Sequence, residues 1–182
     1  ETVYMLDLPN NKEDTLKLGF DVMRDFGDGA FLKKSEIDKE RGVILSEKTS
    51  RDSVQMRLME QQFNALLPDA LLAKRFPIGT EKIIKSAPRS AFTDFYRDYY
   101  NPSRMTFIYV GDFDPKVAEQ RIIDTFGSMK NPAALGSEPS LGTIPSDHGF
   151  KTLALADKEV ATSDLTLTAI KPFEKKADTK AN

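Results

Sequence analysis

Met105-Thr106-Phe107-Ile108-Tyr109-Val110-Gly111-Asp112-Phe113-Asp114-Pro115 holds the switch on which the fold class turns. Residues 105–110 are mostly β-branched or aromatic, the composition of a strand. Asp114 followed by Pro115 is a helix start: a carboxylate that accepts from free N–H groups, then a residue preset for the first helical position. Ala118, Ile122 and Phe126 then recur at helical spacing until Gly127 closes the pattern. One stretch therefore predicts a strand feeding directly into a helix.

Working outward, residues 2–8 alternate, with Tyr4, Leu6 and Leu8 on one face, and predict a strand ended by the turn Pro9-Asn10-Asn11. Leu16, Phe20 and Met23 predict an amphipathic helix over residues 14–26, stopped at Gly27. Ser35-Glu36-Ile37-Asp38 approximates a capping box at the head of a helix reaching about Ser50. Residues 54–67 read as a second helix or a continuation, and Pro68 ends it. Residues 75–80 are a loop. Residues 90–100 read as a helix with Phe92, Phe95, Tyr96 and Tyr99 on one side, ended by Asn101-Pro102. Glycine and proline at 132, 136, 139, 142, 145 and 149 predict a long irregular connection. Strands return over residues 152–156 and 163–171, before a polar tail. The sum is an α+β domain, a mostly antiparallel sheet with helices packed on one face. A strand that opens the chain needs a neighbour, so the expected domain is incomplete at its N-terminus.

The 182 residues suffice for one core, and 40% hydrophobic with 30% charged residues is ordinary for a globular domain. A formal net charge of −2 gives no clustered basic footprint, so nucleic acid is not an expected partner. No apolar run approaches the ~20 residues of a spanning helix, and no secretory signal is seen in a chain that begins at Glu1. The absence of cysteine removes disulfides, thiolate metal sites and thiol nucleophiles. The one histidine, His148, sits in the turn-like Ser146-Asp147-His148-Gly149 and reads as a surface residue. The chain cannot by itself complete a multi-histidine zinc site.

Glu40 and Glu47 are the residues that could carry chemistry. Seven apart on a predicted helix, they share a face about 10 Å apart along the axis. That is too far for a proton-sharing dyad. Ile37 and Ile44 lie on much the same side, so the face is partly turned inward, where a carboxylate needs a cation, a donor or a metal. Spacing alone favours two solvated surface glutamates.

Glu40-Arg41-Gly42-Val43-Ile44 followed by Glu47 resembles the segment that carries the third zinc ligand in the insulinase/pitrilysin family, the inverzincins. Thr2-Val3-Tyr4 with Leu8-Pro9, Phe76-Pro77-Ile78-Gly79 with Ile83, Phe95-Tyr96, Tyr99-Tyr100-Asn101-Pro102, Met105-Thr106 and Val110-Gly111-Asp112 resemble that family in the same order, over roughly residues 1–130. The resemblance implies a metallohydrolase fold shared with mitochondrial processing peptidases, two halves of which enclose a substrate chamber. It implies Glu47 as a zinc ligand and Glu40 as an accessory glutamate supporting the site. It further implies Zn2+ in the intact protein, and a peptide or unfolded polypeptide as substrate. The two remaining ligands and the general base belong to an inverted H-x-x-E-H motif, which is absent from this chain.

Under that resemblance residues 1–102 are the end of the zinc-bearing part, 103–172 a following strand-helix-strand part and 173–182 the tail. An internal piece, inactive alone, of an active peptidase is one expectation. The other is a piece of a non-catalytic homologous partner subunit that binds substrate. Retention of both glutamates favours the first. Exported bacterial relatives point to an exported or periplasmic location.

Overall fold

The computed structural model describes residues 2–132, 137–144 and 149–170. Among these residues the α-helices are α1 (Glu13–Arg24), α2 (Lys34–Ser50), α3 (Val54–Leu66), α4 (Leu71–Lys74), α5 (Glu81–Ser86), α6 (Arg89–Tyr99) and α7 (Pro115–Phe126). A π-helical turn, Asp25–Gly29, extends α1, and a 3-10 turn, Pro102–Arg104, follows α6. His148 and the tail lie outside the described residues.

The expected antiparallel sheet does not form, and the α+β reading is corrected accordingly: among the described residues the architecture is helical and no strand ladder is present. Residues 105–110 keep the alternation expected of a strand, whereas residues 163–169 are exposed throughout, Leu165 and Leu167 included. Phe107 and Tyr109 turn inward, whereas Ile108 (77% exposed) and Val110 (85%) face out. Period-2 patterning reports which side chains alternate along one segment. A ladder also needs a second backbone about 4.8 Å away to exchange hydrogen bonds. Residues 2–8 and 105–110 instead meet the helices through side chains.

The helices form for reasons visible in their ends. Asp114 accepts from the Lys116 N–H at 2.8 Å and opens α7, as its sequence predicts. Ser53 accepts from the Met56 N–H at 3.2 Å, so residues 34–66 split into two helices. The expected Ser35 cap does not occur. Helix α2 starts at Lys34, and the Ser35 hydroxyl lies 3.3 Å from Glu36 Oε1. Helices α4 and α5 are too short for a periodic pattern to reveal.

The main core lies between α1, α7 and residues 107–109. Phe20, 4% exposed, has its ring 5.3 Å from Phe107, 5.3 Å from Tyr109 and 6.2 Å from Phe126. Arg24 then ties the end of α1 to the end of α7. Its guanidinium donates to the Thr125 carbonyl and to Ser128 Oγ at 3.0 Å, while it pairs with Asp28. A smaller cluster joins α3 to α4, with Phe63 and Phe76 6.0 Å apart and Ala70 and Ala73 buried. Residues 141–142 pack onto this cluster: the Leu71 N–H donates to the Leu141 carbonyl at 2.9 Å. Gly142 sits there at φ +77°, with its backbone against the Asp69 carbonyl where no Cβ has room.

Candidate functional site

Helix α2 carries both candidate glutamates. Its inward side is marked by buried Ile37 and half-buried Ile44 and Leu45, which agrees with the inward face expected from Ile37 and Ile44. Arg41 fixes the helix in place. Its side chain is 18% exposed and crosses to α5 and α6. Its guanidinium donates to the Ile84 carbonyl and, at 2.6 Å, to the Ala87 carbonyl. These acceptors lie at the end of α5, where carbonyls lack helical partners. Asp38 pairs with the same guanidinium at 3.1 Å, and the Phe92 ring lies 5.8 Å away. The Lys34 ammonium, and then Arg41, hold the Asp38 carboxyl below its ordinary pKa.

At the other end, the Phe76-Pro77-Ile78-Gly79 turn closes with the Gly79 N–H donating to the Phe76 carbonyl at 2.9 Å. Gly79 has φ +77°, a conformation that favours glycine. Its carbonyl accepts from Lys48 Nζ at 3.3 Å. The turn is thereby docked onto α2 beside Glu47.

Within this frame the two glutamates differ. Glu40 is exposed. Glu47 has a side chain 35% exposed, with its Oε1 2.5 Å from the guanidinium of Arg51. Arg51 also closes α2, its N–H donating to the Glu47 carbonyl at 3.0 Å. Among the described residues no three His, Cys, Asp or Glu side chains come together as a metal cage. The donors present therefore fit one oxygen ligand of a metal site, not a whole site.

The aromatic residues of α6 line a cavity of about 410 Å³ with Tyr4, Phe26 and Leu32. Phe92, Phe95 and Tyr96 face it. Tyr99 does not, and lies instead beneath the Arg104 guanidinium at 5.2 Å. The Tyr4 and Tyr100 hydroxyls are 2.7 Å apart. Burial, then the bond to Tyr100, pushes the Tyr4 phenol up to about 12. Tyr96 donates to the Phe26 carbonyl at 2.9 Å, and burial raises its pKa as well.

Sequence reasoning did not assign Arg41 or Arg51 a role. Arg51 had a signal, since a Glu–Arg pair at i,i+4 on a helix meets side by side. Arg41 had none, because its acceptors are main-chain groups 43 and 46 residues away.

Residues 86–181 match the family described as the peptidase M16 inactive domain. The chain is 28% identical over 167 residues to the probable zinc protease PqqL of Escherichia coli, covering 92% of this chain. It is 24% identical over 168 residues to the PQQL-like zinc protease of Arabidopsis thaliana, again with 92% covered. It is 29% identical over 158 residues to the chloroplastic stromal processing peptidase of Pisum sativum, covering 84% of this chain and 12% of that protein. The solved first half of the periplasmic protease PqqL of Escherichia coli superposes with a TM-score of 0.65 at 28% identity, over 72% of this chain and 28% of that one. The ferredoxin protease FusC, solved in complex with Arabidopsis ferredoxin, gives 0.65 at 31% identity over 72% of this chain and 14% of that one.

The chain belongs to the peptidase M16 family, the insulinase/pitrilysin peptidases. It spans about a fifth (18%) of the length of the two PqqL-type relatives.

Proposed function

We propose that the full-length protein is a zinc metalloendopeptidase of polypeptides, and that Glu47 supplies one of its zinc ligands. The observation that carries this reading is the helix α2 itself. Glu47 stands half-exposed on a helix fixed at one end by Arg41 and at the other by the Lys48 contact to Gly79, so its carboxylate has a set direction and access to a cation. The names of the relatives, zinc proteases and a processing peptidase, support the reaction class.

The other ligands and the general base have to come from residues beyond these 182, an H-x-x-E-H segment by the resemblance, because the chain has a single histidine. Zinc, when bound, lowers the pKa of a water and polarises the substrate carbonyl. Glu40, one stretch earlier on the same helix, acts as the accessory carboxylate that supports the site without touching the metal. The aromatic cavity beside α6 belongs to the wall that faces substrate. An exported location, such as a periplasm, is supported by the description of the Escherichia coli relative as periplasmic. No helix among the described residues is long and apolar enough to cross a membrane.

The test is cleavage of a denatured polypeptide by the purified full-length protein. Turnover that a chelator abolishes and added zinc restores is the expected result. Turnover indifferent to chelator, or none in zinc-loaded protein, overturns the reading.

A further inference from the structure

From Phe150 to Ala169 every residue is exposed except Asp157. Large apolar side chains are among the exposed ones, Phe150, Leu165 and Leu167 included. Apolar burial therefore does not hold this segment to the helices. Charge does. Among the described residues, each hydrogen bond and ion pair that joins residues 150–170 to the helices is made by the Arg57 guanidinium. Arg57 reaches out from the first turn of α3 and is shared three ways. Its Nε and Nη2 meet Asp157, Nη2 also meets Glu159, and Nη1 meets Asp52. Asp52 lies in the corner between α2, which ends at Ser50, and α3. Asp157 is also the centre of its own turn. The Glu159 N–H donates to Asp157 Oδ1 and the Val160 N–H to the Asp157 carbonyl, both at 3.0 Å.

We propose that Arg57 is a latch that holds residues 150–170 on the α2–α3 corner, and that this segment leaves the helices as a unit when the latch opens, while the helical core stays folded. Attachment by charge differs from attachment by apolar burial in two ways. It is directional, because the fork-to-fork contact needs a planar guanidinium and an ammonium cannot reproduce it. It also weakens as salt rises, because Asp52 and Glu159 are more than half exposed and their pairing is screened. The core between α1 and α7 rests on Phe20, Phe107 and Phe126 and has no such dependence. Opening is thus a local event, with a free energy below that of global unfolding. The segment falls within the residues matched to the inactive domain, and the corner closes the helix that carries Glu47. The latch sets whether these two parts move together.

Hydrogen–deuterium exchange of the full-length protein, read by mass spectrometry, tests this in the wild type, Arg57→Gln and Arg57→Lys. The peptides that matter carry Glu159 and Val160, α1 and α7. The inference expects exchange at Glu159 and Val160 to be about tenfold faster in Arg57→Gln, the size expected of one charge-assisted contact. Arg57→Lys should fall between that variant and the wild type, and α1 and α7 should keep their wild-type rates in all three proteins. Added salt should speed exchange at Glu159 and Val160 in the wild type and change it little in Arg57→Gln. Unchanged exchange at Glu159 and Val160 in Arg57→Gln overturns the latch, because another surface then holds the segment. Exchange that quickens equally in α1 and α7 also overturns it, because Arg57 then supports the whole fold rather than one segment.

Discussion

The Arg57 guanidinium meets the Asp157 carboxylate with both oxygens, Nε to Oδ2 at 2.8 Å and Nη2 to Oδ1 at 3.1 Å, across 100 residues of chain. The same arginine reaches Glu159 at 3.1 Å and Asp52 at 3.2 Å. This fastens the 157–160 turn to α3 by a fork-to-fork contact. The Asp157 side chain is 11% exposed.

The pairing sets a pH dependence. Arg57 first, then the Glu159 N–H, lowers the Asp157 carboxyl to about 2. A carboxylate depressed in the folded state adds stability above its unfolded pKa of about 3.9. That contribution is lost as pH falls through about 2. Carbon-detected NMR should place the Asp157 midpoint near 2 in the wild type and nearer the ordinary carboxylate range in Arg57→Gln. Equal midpoints in the two proteins contradict the contact.

Arg41 predicts a stability effect with a graded rescue. Hydrogen bonds made by a charged donor contribute about 1.5–3 kcal/mol each, and Arg41 makes two to main-chain carbonyls. Arg41→Ala should destabilise by about 2–4 kcal/mol in chemical denaturation. Arg41→Lys should recover only part, since an ammonium cannot span the Ile84 and Ala87 carbonyls as the planar fork does. An Arg41→Ala variant as stable as the wild type rules out the pinning role.

The two glycines of the site region should respond with opposite sign. Gly42 lies inside α2 with nothing within 4 Å of where a Cβ would stand. Gly42→Ala should stabilise by about 0.5–1 kcal/mol, the helix-propensity difference. Gly79 holds φ +77°, so Gly79→Ala should destabilise by about 1–2 kcal/mol and loosen the turn beside Lys48. Thermal unfolding of the two variants side by side checks both, and a loss in Gly42→Ala would place another surface against that face of α2.

The legible parts of this chain were those whose signals are local. Asp114-Pro115 announced α7, Leu16 and Phe20 announced α1, and the glutamate motif located the candidate ligand on the helix that carries it. The unread parts depend on partners far along the sequence. Ile108 and Val110 alternate with Phe107 and Tyr109 as a strand would, yet alternation cannot report whether another backbone lies alongside. Arg41 looks like any surface arginine until α5 is placed beneath it. The π-helical turn at Asp25–Gly29 falls where a simple stop at Gly27 was expected, since Arg24 holds Asp28 and the end of α7 together there. The Tyr4–Tyr100 contact joins residues 96 apart, and no pattern within either segment marks it.

Glu47 as a zinc ligand is the centre of the account, and metal content tests it most directly. Full-length wild type, Glu40→Gln and Glu47→Gln are purified alike and their zinc measured by mass spectrometry, alongside folding by circular dichroism. The account predicts a folded Glu47→Gln protein with its zinc largely lost, and a Glu40→Gln protein that keeps most of its zinc while its peptidase activity falls. A folded Glu47→Gln protein with the zinc content and turnover of the wild type contradicts it.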